Sequence, residues 1–101
     1  MPEATISPEL QPMADNAMDI LAQTLNVSPE DVTILDIQRV EWRDASLGCP
    51  KPGMMYAQVI TPGYLIKAKV NGETQMIHMN EAGRGVVCPP DRAKPPYSAA
   101  K

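Results

Sequence analysis

The sequence predicts an α+β fold, in which an N-terminal amphipathic helix packs on an antiparallel sheet of about four strands. Residues 12–25 repeat apolar side chains at the spacing of one helical face. Residues 32–88 hold short β-prone runs separated by glycine, proline and asparagine turns. A chain of 101 residues suits one such domain with a modest core.

The two ends of the chain differ in composition from its middle. Residues 1–11 show little hydrophobic pattern, and residues 89–101 combine four prolines with small polar residues. Such segments lack the apolar content to form a packed core. We therefore predict a flexible arm at 1–11, a single α+β domain at 12–88 and a proline-rich flexible tail at 89–101.

The helix is predicted from six apolar residues on one face: Ala14, Ala17, Met18, Leu21, Ala22 and Leu25. Pro12 is acceptable in the first turn of a helix. Asn26 is a plausible left-handed cap, with Val27 folding back as the apolar contact that accompanies it. Ser28 then resembles the cap of a second, single-turn helix that begins at Pro29.

The first strand is predicted at residues 32–43, with a change of face along it. Val32, Ile34, Val40 and Trp42 would share one face of a regular strand, whereas Leu35 and Ile37 point to the other. A bulge or break near residues 36–39 would reconcile the two sets. Trp42 is then expected in the core beneath the helix, together with Tyr64, Ile66 and Ile77.

The loop at residues 44–53 is predicted to be rigid. Gly48 and Gly53 can adopt positive φ, while Pro50 and Pro52 fix their own φ and restrict the residue before each. The backbone is therefore ordered before any partner arrives.

A meander is expected after the loop. We predict a strand at residues 55–60, a type II turn at residues 61–63, and a short last strand at residues 86–88. Between them, Asn71-Gly72 is a strong hairpin signal that joins strands 64–70 and 73–79. This turn pairs Val70 with Glu73, Ala68 with Gln75, Ile66 with Ile77 and Tyr64 with Met79. His78 then falls on the opposite, wetter face.

Charge and hydropathy exclude two classes of partner. The net charge of −3 and the pI of about 5.0 provide no basic surface for nucleic acid. No run approaches the 18 or so apolar residues of a membrane span, and the N-terminus lacks the pattern of a signal peptide. We expect a monomer without an integral membrane segment.

Met1 is either a native start or an initiator placed on an exported, mature domain.

The two cysteines, Cys49 and Cys88, lie far apart and form no Cys-x-x-Cys motif. A disulfide between them would enclose residues 50–87 and stabilise the fold by roughly 4 kcal/mol in the chain-entropy model. That reading favours an extracytoplasmic location. The alternative is two buried free thiols in a cytoplasmic protein.

Residues 40–88 carry a set of motifs that resembles a known family. The central motif is W-x-D-x-S-L-G-C-P-x-P-G-M at residues 42–54, followed by Pro-Gly-Tyr at 62–64, His78 and Cys88. It resembles small, largely uncharacterised bacterial proteins that are often exported or lipid-anchored. The resemblance implies export and pairing of Cys49 with Cys88, although Met76 and Ile77 stand where that family has aromatic residues. The outline of helix and sheet is also similar to the periplasmic PepSY type of domain.

An enzyme would have to use His78, the only histidine, with Asp44 and Ser46 as triad partners of a hydrolase. The alternative for Asp44 and Ser46 is ordinary turn chemistry, in which their side chains bond to nearby backbone groups.

A Cu(I) carrier would use Met76 and His78, two soft ligands on one strand face. Met79 points to the other face of the strand and so cannot join them. The alternative for the methionines is that they fill the core in a chain that has no phenylalanine.

The third candidate is a binding role for the rigid loop itself. Its candidate residues are Asp44, Ser46, Lys51, Met54 and Met55. A stiff loop that exposes apolar side chains beside a lysine suits docking to a partner, because a preordered loop loses little conformational entropy on binding. A protease-inhibitor-like loop is one version, and a loop that only anchors the fold is the plain alternative. We expect a non-enzymatic, extracytoplasmic module without a cofactor that binds an unidentified protein or small ligand.

Overall fold

The computed structural model describes residues 8–91, 93–94 and 96–99, and it confirms the α+β class. Helix α1 is preceded and followed by single 3-10 turns, and the described strands form one antiparallel sheet in the order β4-β3-β2-β1-β5. The elements are Pro8–Leu10 (3-10), α1 Gln11–Leu25, Pro29–Asp31 (3-10), β1 Val32–Trp42, β2 Thr61–Val70, β3 Glu73–Asn80, β4 Gly85–Val87 and β5 Ser98–Ala99.

Helix α1 ends as its sequence predicts. Asn26 adopts the left-handed conformation at φ 57°, and its N–H donates to the carbonyl of Ala22. The N–H of Val27 donates to the same carbonyl at 3.0 Å, which turns the half-buried Val27 side chain onto the core. Ser28 then caps the second 3-10 turn by accepting a hydrogen bond from the N–H of Glu30 at 3.4 Å.

A β-bulge in β1 decides which side chains face the helix. The pairing of β1 with β2 shifts between Ile34 and Asp36, so Leu35 is the extra residue. Ile34 and Ile37 thus lie on the helix-covered face, and Val40 and Trp42 on the opposite one. The predicted bulge exists, but it lies just before residues 36–39. The predicted common face of Val32 and Trp42 is wrong, because a bulge reverses the alternation beyond it.

The hairpin of β2 and β3 is confirmed in its register. Asn71 and Gly72 have φ values of 50° and 86°, as a two-residue primed turn requires. The predicted pairs are all present: Val70 with Glu73, Ala68 with Gln75, Ile66 with Ile77 and Tyr64 with Met79.

The predicted strand at residues 55–60 and the turn at 61–63 are both wrong. Residues 55–60 are irregular, and β2 already begins at Thr61, so Pro62 and Gly63 lie within the strand. Gly63 serves close packing here instead of a turn. A Cβ atom at this position would collide with the carbonyl oxygen of Met79 and would lie 2.9 Å from the indole nitrogen of Trp42.

The sheet carries a buried cluster on each face. The first lies beneath α1 and contains Ala17, Leu21, Val32, Ile66, Ala68, Val70, Ile77 and Met79. The second lies on the other face and contains Val40, Trp42 and Leu47, with Leu65 packed against it. Trp42 therefore belongs to the second cluster instead of the helix-facing core predicted for it.

The C-terminal segment, predicted to be a flexible tail, returns to the sheet. In β5, Ala99 pairs with Val40 and Ser98 with Glu41, and the N–H of Tyr97 donates to the carbonyl of Glu41 at 2.7 Å. Sequence composition does not foresee this pairing because it depends on β1, far away in the chain. Of the predicted N-terminal arm, residues 1–7 lie outside the described part of the chain. Among the described residues, no helix is both long and apolar enough to cross a membrane.

Candidate binding loop and groove

A disulfide fixes the base of the loop. Cys49 and Cys88 are bonded, with their Cα atoms 5.8 Å apart, and both are buried. The bond ties the loop to the chain just after β4, so the position of the loop is set by the sheet. A covalent staple of this kind removes much of the loop's conformational freedom.

Trp42 and His78 form the floor on which the loop rests. Their rings stack with centroids 4.6 Å apart and an interplanar angle of 15°. The indole N–H of Trp42 donates to the carbonyl of Met79 at 3.0 Å. His78 Nδ1 lies 2.7 Å from the carbonyl of Leu47; because a carbonyl only accepts, Nδ1 carries the hydrogen.

His78 is therefore a neutral, structural side chain in this fold. It is only 2% exposed, which makes the prediction of a wetter face wrong. Burial lowers the pKa of His78 below its ordinary value, and the hydrogen bond to Leu47 opposes that shift. The strand alternation does put His78 on the face opposite α1, as predicted. The loop, however, folds over this part of that face and excludes water from it.

Asp44 and Ser46 meet each other through local turn chemistry. Asp44 Oδ1 accepts hydrogen bonds from the Ser46 N–H at 2.9 Å and from the Ser46 hydroxyl at 2.5 Å. His78 directs its Nδ1–H to Leu47 instead, so the structure describes no hydrogen bond between the histidine and the serine. This arrangement supplies the turn with a buried polar anchor.

Met76 and His78, the two ligands suggested for Cu(I), share one sheet face but differ in burial and surroundings. The two cysteine sulfurs are bonded to each other, and His78 is buried in the stack on Trp42, while Met76 is half-buried on the same sheet face. Met54 and Met55 lie on the exposed loop. Among the described residues, no group of three or more histidine, cysteine or acidic side chains is placed to hold a metal.

The far part of the loop is a projecting apolar segment. Met55 is 95% exposed and Met54 59% exposed, and Val59 and Ile60 are also exposed. Sequence reasoning missed Val59 and Ile60 as surface residues because it placed them in a strand. These four account for most of the large hydrophobic side chains exposed in the described chain; the other two are Val86 and Tyr97. Residues 54–60 are called the apolar segment below.

Three hydrogen bonds hold the apolar segment in place. The N–H of Met54 donates to the carbonyl of Lys51 at 3.2 Å, which closes a turn at Pro52-Gly53. The Lys51 N–H donates to the Tyr56 hydroxyl at 3.0 Å. The Ala45 N–H donates to the carbonyl of Ala57 at 3.0 Å. The apolar segment is thus exposed, yet it is anchored at its start and in its middle.

A groove runs between the loop and the C-terminal segment. Its inner part is a cavity of about 200 Å³ lined by Arg43, Asp44, Ser46, Gly48, Pro50 and Lys94. Its outer part measures about 330 Å³ and is lined by Pro50, Lys51, Pro52, Asp91, Ala93 and Lys94. Asp44, Ser46 and Lys51 are thus brought together around one groove, while Met54 and Met55 belong to the apolar segment.

Residues 14–88 match the family described as Domain of unknown function (DUF8738). The chain belongs to the DUF8738 family. The matched range begins in α1 and ends at Cys88, so it contains the whole disulfide-bonded loop. The C-terminal wall of the groove, formed by Asp91, Ala93 and Lys94, follows the DUF8738 region. No curated protein and no solved structure matches the chain.

Proposed function

We propose that this DUF8738 protein is a non-enzymatic binding module that recognises a partner protein through its disulfide-anchored loop. The observation that carries the proposal is the apolar segment, which exposes Met54, Met55, Val59 and Ile60 within seven residues of sequence. Apolar side chains concentrated at one place on a small domain are typical of interaction sites. Methionine in particular adapts its shape to varied partner surfaces.

The anchoring of the loop supports the same function. A flexible loop would lose backbone conformational entropy on binding, at a cost of about 1–2 kcal/mol for each residue that becomes ordered. Here the backbone is held by the disulfide, by the hydrogen bonds of Ala45 and Lys51, and by the packing of Leu47 beside Trp42. The loop therefore reaches a partner already ordered.

The disulfide also supports an extracytoplasmic site of action. Structural disulfides persist in oxidising compartments and are rare in the reducing cytoplasm. Cys49 and Cys88 are buried, as expected for a structural bond and not for a reactive one. The location that we propose for the binding activity is therefore outside the cytoplasm, in the periplasm or beyond it.

The test compares two double variants of the loop. In Met54→Ser/Met55→Ser the apolar surface is lost, whereas in Met54→Leu/Met55→Leu it is kept. Both side chains are exposed, so neither change should affect folding, and urea unfolding checks this. Burying one methionine side chain contributes about 1.5–3 kcal/mol, so the serine variant should bind its partner at least about tenfold more weakly.

The readout is capture of proteins from a cell-envelope extract by immobilised wild type and both variants, quantified by mass spectrometry. Proteins captured by wild type and by the leucine variant, but lost with the serine variant, support the proposal. Equal capture by all three forms would show that the apolar segment is not the binding surface.

A further inference from the structure

The inner and outer cavities of the groove adjoin each other, because Pro50 and Lys94 line both. One wall is the stiff Pro50-Lys51-Pro52 run, and the opposite wall is the C-terminal segment with Asp91 and Ala93. Prolines and alanine give these walls apolar surface, and charged side chains lie at several points along them. Two adjoining cavities between the same two walls suit an extended chain better than a compact molecule.

The inner cavity carries a net positive charge. Among the residues that the structure describes, the charged side chains of this lining are the two cations Arg43 and Lys94 and the carboxylate Asp44, which gives a formal charge of +1. This contrasts with the net charge of −3 of the whole chain. The electrostatic preference of the cavity therefore differs from that of the surrounding surface.

The two cations are available to a ligand. Within the part of the chain that the structure describes, neither Arg43 nor Lys94 makes an ion pair; the guanidinium of Arg43 instead lies 5.9 Å from the centroid of the Tyr97 ring. One oxygen of Asp44 already accepts two hydrogen bonds from Ser46. Asp44 is thus committed to the turn.

The backbone that positions these cations is fixed. The N–H of Lys94 donates to the carbonyl of Gly48 at 2.8 Å, which holds the C-terminal wall against the loop. Gly48 in turn packs on Trp42, and the next residue, Cys49, is in the disulfide. The cavity therefore exists before any ligand enters, which lowers the cost of binding.

We propose that this groove binds an extended, acidic peptide segment of the partner, with one glutamate or aspartate carboxylate held between Arg43 and Lys94. This inference rests on the proposed function, because it names the chemistry of the partner. A lining charge of +1 matches one carboxylate. Asp44 and Asp91 repel any anion, and they would repel a phosphate group, with its charge near −2 at pH 7, more strongly than a single carboxylate.

The test uses three peptides that differ at one position: acetyl-Gly-Ala-Glu-Ala-Gly-amide, the same peptide with glutamine, and the same peptide with phosphoserine. Binding is followed by amide chemical shifts of the labelled, oxidised protein. We expect the glutamate peptide to shift the amides of Gly48 and Lys94 saturably, and about tenfold more tightly than the glutamine peptide.

Variants check the assignment of the cations. Arg43→Gln and Lys94→Gln keep the backbone hydrogen bonds and should each weaken the glutamate peptide by about fivefold or more. Lys69→Gln, an exposed lysine on β2 outside the groove lining, is the matched control and should change nothing.

Several results would overturn the inference. They are equal binding of the glutamate and glutamine peptides, tighter binding of the phosphoserine peptide, shifts confined to the apolar segment, or no saturable shift at millimolar peptide. These failures leave the capture result of the Met54 and Met55 variants untouched. Conversely, the peptide could bind at the groove while the serine variant captures the same proteins as wild type. That outcome would refute the proposed role of the apolar segment and leave the groove inference standing.

Discussion

Removal of the disulfide offers the most quantitative test of how this fold is stabilised. The bond joins two positions 39 residues apart in the sequence. In the chain-entropy model, breaking a cross-link that closes a loop of that length lowers the free energy of the unfolded chain by about 4 kcal/mol at 25 °C. Small domains have total stabilities of about 5–15 kcal/mol, so the double variant Cys49→Ala/Cys88→Ala should be only marginally folded.

Trp42 provides the assay. It is the only tryptophan in the chain and is fully buried in the second cluster, so its fluorescence reports on the loop and the sheet together. Urea unfolding of the double variant should show the free energy of unfolding reduced by about 4 kcal/mol, and the melting temperature should fall by about 15–30 °C. Wild type treated with a reductant is the control and should unfold at nearly the same urea concentration as the double variant.

A loss of less than about 1 kcal/mol would refute this reasoning, since it lies far below the chain-entropy value. It would mean that the second cluster and the β1 pairing hold the loop without covalent help, or that the unfolded chain keeps Cys49 near Cys88. An unchanged midpoint in wild type under reductant, with thiol alkylation showing both cysteines free, would refute it in the same way.

Two further predictions concern the floor of the loop. Because burial lowers the folded-state pKa of His78 below its value of 6.5 in the unfolded chain, the unfolded state takes up the proton first. The free energy of unfolding, measured by urea titration, should thus fall as the pH drops below about 6.5, by up to about 1.4 kcal/mol per pH unit. The variant His78→Phe should lack this pH dependence. A wild-type free energy of unfolding that stays constant from pH 7 to 5.5 would contradict the prediction. Gly48 and Gly53 both have positive φ, 72° and 81°. A Cβ atom at Gly48 would lie 2.7 Å from the Trp42 ring, whereas a Cβ atom at Gly53 would have no other heavy atom within 4 Å among the described residues. Gly53→Ala should therefore cost about 1–2 kcal/mol and Gly48→Ala about 1–3 kcal/mol more, and equal losses in urea unfolding would rule out the contact with Trp42 as the cause.

The parts of the fold that local chemistry determines were predictable from the sequence. Asn71-Gly72 specifies a two-residue turn, and that turn fixes every pair in the hairpin of β2 and β3. Asn26 ends α1 in the same local way. The α+β class follows from these signals together with the periodicity of α1.

The errors arose where distant segments decide the outcome. One extra residue at Leu35 reverses the faces of β1, and the sequence places a bulge only approximately. The burial of His78 depends on the loop that folds over it, and the place of Pro62 and Gly63 within β2 depends on the packing of Gly63 beside Trp42. None of these contacts leaves a local pattern in the sequence.

The candidate site was predictable in part. Its loop was identified from proline, glycine and cysteine spacing, because those residues restrict the backbone directly. Arg43 and Lys94 were missed, since the first immediately precedes the loop and the second lies in a segment whose composition indicates flexibility. The pairing of β5 with β1 and the hydrogen bond from Lys94 to Gly48 bring the C-terminal wall to the groove, and neither contact is local in the sequence.

The bulge at Leu35 also bears on self-association. In the described sheet, β5 covers the outer side of β1 only at Val40 and Glu41, so the earlier part of β1 lies at the edge. A straight edge strand is a template on which a second copy can add its own strand, and repeated addition leads to fibrils. The extra residue interrupts the regular spacing of N–H and C=O groups and increases the local twist. The residue that places Trp42 beneath the loop should thus also disfavour the addition of a second copy's strand at this edge.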